Sequence, residues 1–227
     1  MRPCPLNPLP ALLLLSSLVL AGCGSSPGPD RAETRTDAST ALMAAASEGD
    51  RDRVQALLAE GGALNAMGPD GTPLYQAADA GHEETVWYLL RQGADPDRGL
   101  EGGVTPLMAA AAAGQQRIID LLIRAGADVN ARSDAGETPL TYAALNSQLG
   151  ATNRLLRADA DVNTVNEEGE SLLMRAVARN DLLLAGVIVD AGADVNYQAA
   201  DGRTALDVAR ANGNRDLVMM LKNAGGD

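Results

Sequence analysis

Reactions at neutral pH are most often carried by histidine, cysteine and lysine, and this 227-residue chain holds one histidine, two cysteines and one lysine. His82 stands in "AGHEE", Cys4 and Cys23 flank an apolar run, and Lys222 lies close to the C-terminus. A Ser-His-Asp or Cys-His arrangement would have to be assembled around His82 alone. No second histidine can join it in a zinc or iron site. The phosphate loop G-x-x-x-x-G-K-[ST] is absent. The stretch "DVNARSDAG" at 128–136 opens like a calcium loop, with Asp128 and Asn130 suitably spaced. Arg132 then takes a ligand position, Ser133 the required glycine and Pro139 the closing glutamate, so the loop fails. Carboxylates are plentiful but fall in turns and in first turns of helices, where solvation and capping explain them. The residues point to no catalytic site, no metal, no cofactor and no nucleotide.

Binding is the remaining role, and charge restricts the partner. The formal net charge is −12, and cations do not cluster, so phosphate backbones and anionic lipid surfaces are disfavoured. Aromatic residues make up 2%, with no Phe, while 46% of residues are hydrophobic. A core must therefore be built from Ala, Leu, Val, Ile and Met, which suits closely packed helices better than a sandwich of sheets.

The elements that would position such a surface begin after an unusual N-terminus. Residues 11–22 form an apolar run about 18 Å long as a helix at ~1.5 Å per residue. That falls short of a hydrocarbon core of about 30 Å. Arg2 precedes the run and small residues end it, the layout of a signal peptide over 1–22. Leu20-Ala21-Gly22-Cys23 resembles the lipobox of bacterial lipoproteins, which implies that Cys23 becomes the lipidated, palmitate-bearing first residue of the mature chain. A basic n-region is thin here, with Arg2 as its one basic side chain. Gly24, rather than Asp, follows Cys23, so the resemblance implies an outer-membrane anchor facing the periplasm. Residues 23–36, "CGSSPGPDRAETRT", read as the lipidated residue followed by a flexible tether.

From residue 37 to 227 the chain repeats itself. "TALMAAASEGD" at Thr40, "TPLYQAADAGH" at Thr72, "TPLMAAAAAGQ" at Thr105 and "TPLTYAALNSQ" at Thr138 are followed by "SLLMRAVARND" at Ser171 and "TALDVARANGN" at Thr204. The starts are 32, 33, 33, 33 and 33 residues apart, the period of a stacked array. Thr caps a first helix, Pro fits its first turn and an Ala-rich face allows close approach. A glycine such as Gly81 or Gly114 turns the chain into a second helix with one apolar stripe. Gly93, Gly126 or Gly192 ends that helix, and Asp-Val-Asn opens a protruding turn.

These motifs resemble the ankyrin repeat, G-x-T-P-L-H-x-A-A-x-x-G-H followed by L-L-x-x-G-A-D-V-N. The resemblance covers 37–227 in about six units. It implies an all-α solenoid of helix-turn-helix pairs with β-turn fingers, used as a binding scaffold and not as an enzyme. Departures carry expectations of their own. Met43, Tyr75, Met108, Thr141, Met174 and Asp207 stand where the family has His, so links between repeats should be few. In the fourth unit Asp159 replaces a helix-ending glycine and Arg154 an apolar residue, which marks this unit as the weakest of the stack. His82 matches the family's His after Gly, a structural position.

The same resemblance assigns candidate protein contacts. On the fingers these are Glu101, Arg132, Asp134, Glu137, Glu167, Glu168, Glu170 and Arg203; on the inner helices, Asp79, Leu145, Asn146 and Arg179. Trp87 forms a separate candidate on the outer helices, with Leu183 and Met219 read as its equivalents in later units. An exported, membrane-tethered scaffold for a protein partner is the function expected. Immunity against a secreted toxin such as a phospholipase and protection against peroxide are alternatives within that class. A carboxylate-based enzyme and a purely structural spacer are the readings outside it.

Overall fold

A computed structural model describes residues 31–227. The expected signal segment, Cys23 and the start of the tether lie outside the described residues. Among the described residues twelve helices follow one another in pairs. They are α1 (Arg31–Glu48) and α2 (Arg51–Ala59), then α3 (Pro73–Ala80) and α4 (Glu83–Arg91), then α5 (Pro106–Ala112) and α6 (Gln116–Arg124). The series continues with α7 (Pro139–Leu145) and α8 (Leu149–Leu156), α9 (Leu172–Ala178) and α10 (Leu182–Asp190), α11 (Ala205–Ala211) and α12 (Arg215–Asn223). Odd-numbered inner helices pack on one another in order, and each even-numbered outer helix packs on its own inner partner.

Local chemistry starts each inner helix where the repeat motif places it. The hydroxyls of Thr72, Thr105, Thr138, Ser171 and Thr204 accept the N–H of the residue three positions on, at 3.2 to 3.3 Å. The residues standing in place of the family's His complete several of these caps. Thr141 Oγ1 accepts the Thr138 N–H at 2.8 Å, Asp207 Oδ2 accepts that of Thr204 at 3.1 Å, and Met108 Sδ that of Thr105 at 3.4 Å. The substitutions thus keep the cap closed within the repeat.

The first repeat departs from the expectation. α1 runs back through Thr40 to Arg31, so Thr40 is inside the helix, and part of the stretch read as tether is helical. Ala41 stands where the second, third and fourth repeats have Pro, so nothing there bars Thr40 from the α region. Ser171 and Thr204 cap their helices without a following Pro, so its absence permits the longer α1 without requiring it.

Packing repeats as faithfully as the caps. Leu42, Leu74, Leu107, Leu140, Leu173 and Leu206 form one row, each at most 1% exposed. Burying a leucine contributes about 1.5–3 kcal/mol, so this row alone is a major part of the core. Beside it Ala45, Ala77, Ala110, Ala143, Ala176 and Ala209 are 0% exposed, and their small size sets the close approach of the inner helices. A leucine at Ala110 would overpack that approach at a cost of about 1–3 kcal/mol.

Links between repeats are regular, against the expectation that losing the family's His would leave few. The side-chain oxygens of Asn65, Asp97, Asn130, Asn163 and Asn196 accept the backbone N–H of Asp95, Asp128, Asp161, Asp194 and Asp227, at 2.8 to 3.1 Å. Asp95, Asp128, Asp161 and Asp194 in turn accept the N–H two residues on, which shapes each finger base. A second set joins the interhelical turns: His82 Nε2 pairs with the Ser47 carbonyl at 2.9 Å, and Gln115 Nε2 donates to the Asp79 carbonyl at 3.2 Å. His82 is therefore a structural bridge between the first two repeats.

The fourth and fifth repeats break the pattern. Among the described residues three non-glycine residues have positive φ, Ser147 at 60°, Asp159 at 61° and Asn180 at 56°, and all three lie here. Ser147 and Asn180 occupy the turn position held by Gly81 and Gly114, and Asp159 that held by Gly93 and Gly126. Outer helices α8 and α10 pack less closely than any other neighbouring outer pair, and an open cleft of about 640 Å³ lies at their C-terminal ends. Thr152 and Ala185 fill buried positions that carry Val54, Val86 and Ile119 in the earlier repeats. Arg154, placed where Leu121 stands one repeat earlier, turns toward α6: it pairs with Asp120 and reaches Gln116 Oε1 at 3.3 Å. Its charge is thus satisfied, and its reach toward the third repeat leaves the fifth uncovered.

Candidate protein-binding surface

The fingers and inner helices meet most closely at the fourth and fifth repeats. Glu137, on a finger just before the Thr138 cap, receives a two-pronged hydrogen bond from Arg175 on α9. The contacts measure 2.8 and 2.9 Å, and both side chains are about four-fifths buried. Burial alone would lift the Glu137 carboxyl, but hydrogen bonds from Arg175 and Thr141 outweigh it and hold the group below the usual carboxylate range. Paired in this way, the two charges offset each other and form one side of the site.

Around that pair Thr141, Tyr142, Leu145 and Asn146 complete a shallow pocket of about 170 Å³. Tyr142 and Leu145 are half-buried, one turn apart on α7, and pack on the core beneath. Asn146 donates back to the Tyr142 carbonyl at 2.8 Å, and the Arg179 guanidinium donates to the Leu145 carbonyl. A third arginine crosses nearby: Arg132 Nη1 donates to the Val165 carbonyl at 3.3 Å. Three arginines therefore tie the fourth repeat to the fifth on this side, opposite the gap between α8 and α10. Tyr and Arg around a largely buried pair are the side chains that most often anchor protein contacts.

The expected contact residues divide by this geometry. Glu137, Leu145, Asn146 and Arg179 come together, whereas Arg132 and Asp134 serve the fingers themselves, Asp134 through its N–H to the Gly102 carbonyl at 2.8 Å. Glu101 is an exposed finger tip and Asp79 an exposed residue of α3. Asp79 acts on Tyr75, whose hydroxyl is pushed up by burial first and by Asp79 second. Of the fifth finger's carboxylates, Glu170 faces Arg203 at 4.0 Å, while Glu167 and Glu168 are exposed; Glu168 accepts from Asn166 at 3.4 Å. Arg203 also pairs with Asp201. Tyr142 and Arg175 were not among the expected residues. The signal for Arg175 was present, since it is the one cation in a row otherwise made of Ala44, Gln76, Ala109, Tyr142 and Val208.

Trp87 lies on the outer face, 46% exposed, with the Arg91 guanidinium 5.4 Å from its ring centre. That stacking covers one ring face. Met219 holds the same register in the last repeat, but Leu183 does not. It sits one turn nearer the start of α10, and Gly186 takes the place of Trp87. Among the described residues no three His, Cys, Asp or Glu side chains converge to hold a metal, and no helix is long and apolar enough to cross a membrane.

Paired helices, repeating finger turns and a polar-rimmed inner face define a repeat solenoid of the binding type. The family model for ankyrin repeats in three copies matches residues 12–99, 97–166 and 147–227, and the chain belongs to the ankyrin-repeat family. Its fold is similar to the ankyrin repeat domain of Bcl-3, a member of the IkappaB protein family, with a TM-score of 0.76 and 27% identity over 82% of this chain and 86% of that one. It is also 37% identical over 84 residues to the 2-5A-dependent ribonuclease of Mus musculus. That match takes in 36% of this chain and 11% of the ribonuclease. The fold is typically a non-enzymatic scaffold for protein partners.

Proposed function

We propose that this chain is an exported, lipid-anchored ankyrin scaffold that holds a protein partner on the face centred on Tyr142. The observation that carries the binding reading is the cluster of Tyr142, Leu145, Asn146, Arg175 and Arg179 around the Glu137–Arg175 pair. The Glu137–Arg175 pair is already formed without a partner, and such preorganisation lowers the entropic cost of binding. Glu101, Glu167, Glu168 and Asp79 are exposed carboxylates on the fingers and inner helices, and they favour a partner with cationic edges. The anchor rests on the lipobox-like Leu20-Ala21-Gly22-Cys23 and places the scaffold at the outer membrane, facing the periplasm. Immunity against a secreted toxin and protection against peroxide both fit this arrangement.

Cross-linking pull-down from envelopes, repeated with Tyr142→Ala and Arg179→Glu, tests the face. A stoichiometric partner lost in both folded variants supports it, and a partner kept by both removes it. Fractionation of Cys23→Ala tests the anchor: release into the soluble fraction supports it, and retention with membranes refutes it. Rescue of cells from a co-encoded toxin would select immunity, and peroxide sensitivity on deletion would select the other role.

A further inference from the structure

We propose that the cleft between α8 and α10 is a second docking site, which takes an amphipathic helical segment of a protein partner carrying leucines and a terminal Lys or Arg. The first observation is α10 itself. Its sequence "LLLAGVIVD" has no polar residue before Asp190, whereas a surface helix ordinarily shows one apolar stripe. Leu184, Ala185 and Ile188 are buried, yet Leu182 is 42% and Leu183 63% exposed. Leu183 and Val187 are one turn apart on one face, and Val187 lines the cleft, so the exposed apolar strip leads into it. Leu156 and the buried Val162 continue the apolar lining on the fourth-repeat side.

Charge complementarity selects the occupant. Asp159, Asp161 and Asp190 ring the cleft against the single cation Arg157. α8 and α10 also both end there, which brings the negative pole of each helix to the cleft. An apolar trough that closes on carboxylates and two helix C-termini fits a segment that is apolar along its length and basic at one end. The other neighbouring outer helices pack helix on helix more closely than this pair does, so a helix is the shape that matches the face left open.

The test uses the full chain and two synthetic helical peptides, one of leucine, alanine and terminal arginines, the other with glutamate in place of each arginine. Amide NMR shifts and fluorescence anisotropy report binding. The arginine peptide is expected to bind with shifts gathered at Leu156, Val187 and Ala191, and spermine and the glutamate peptide to leave those amides unmoved. Asp190→Lys should weaken the arginine peptide about tenfold through like charge. Asp159→Gly removes a carboxylate while easing the backbone, and should weaken binding in a fully stable protein. Shifts spread over the acidic fingers, binding unchanged in both variants, or equal binding of spermine would each overturn the proposal.

Discussion

Glu137 and Arg175 are 38 residues apart in the chain and form a two-pronged ion pair of 2.8 and 2.9 Å that crosses from the fourth repeat to the fifth. The pair ties these repeats on the inner side, where the outer side stands open. Arg175→Ala strands a largely buried carboxylate and should cost about 1–3 kcal/mol in urea unfolding, between the values for exposed and fully buried pairs. Replacing both partners, Glu137→Leu with Arg175→Met, should cost less than either single change. The pair also sets an acid limb. A carboxylate held below its ordinary range gives stability that is present above the unfolded-state value and lost as pH falls through the folded one. Loss of Arg175 should therefore flatten stability against pH below the ordinary carboxylate range, and an unchanged limb would refute this role.

Asp97 is the one carboxylate in a row of four asparagines, and it sits beside Asp95 and Asp128. Burial first, opposed in part by the Asp128 N–H, and then the two neighbouring charges push its carboxyl up. Raised in the folded state, it disfavours folding once ionised, so stability falls as pH rises through its folded value. Asp97→Asn removes that cost and adds the amide donor that Asn196 gives to the Gly225 carbonyl at 3.0 Å. Thermal unfolding should show a gain of about 0.5–1 kcal/mol at neutral pH, at the lower end for a net hydrogen bond because the residue is exposed. The gain should fade in acid.

Left-handed backbone at Ser147, Asp159 and Asn180 predicts that glycine stabilises. Each replacement should add about 0.5–1 kcal/mol, most at Ser147, since Asn and Asp tolerate this region better. Glycine at the exposed helical Asn153 should do the reverse, and chemical denaturation of the four variants checks the contrast.

Thr164 is 2% exposed and its hydroxyl has no partner. Thr164→Val keeps the shape and removes the buried polar group, so it should raise stability by about 1 kcal/mol. A loss in calorimetry would mean that a water satisfies the hydroxyl.

The period, caps and turn glycines were legible in sequence because each is a local choice repeated at a fixed spacing. The start of α1 was missed because Thr40 can either cap or continue a helix, and Ala41 leaves both open where Pro bars continuation at Thr72, Thr105 and Thr138. Trp87 and Leu183 were placed in one register, although the 33-residue spacing puts Gly186 there. Arg175 escaped because its partner lies one repeat back plus a finger, a distance outside the repeat's own period. The cleft was partly visible in Asp159 and Arg154, but the small Thr152 and Ala185 mattered as much, and they drew no notice among so many alanines.

The rungs from Asn65 to Asp227 make the finger edge behave like the stitched spine of a book. Pages on a spine can fan only at their free edge, so a change of curvature would be taken up by the outer helices. The page already parted is the one between α8 and α10, and a wedge seated there would be felt on the inner face as a closing of Tyr142 toward the fifth repeat.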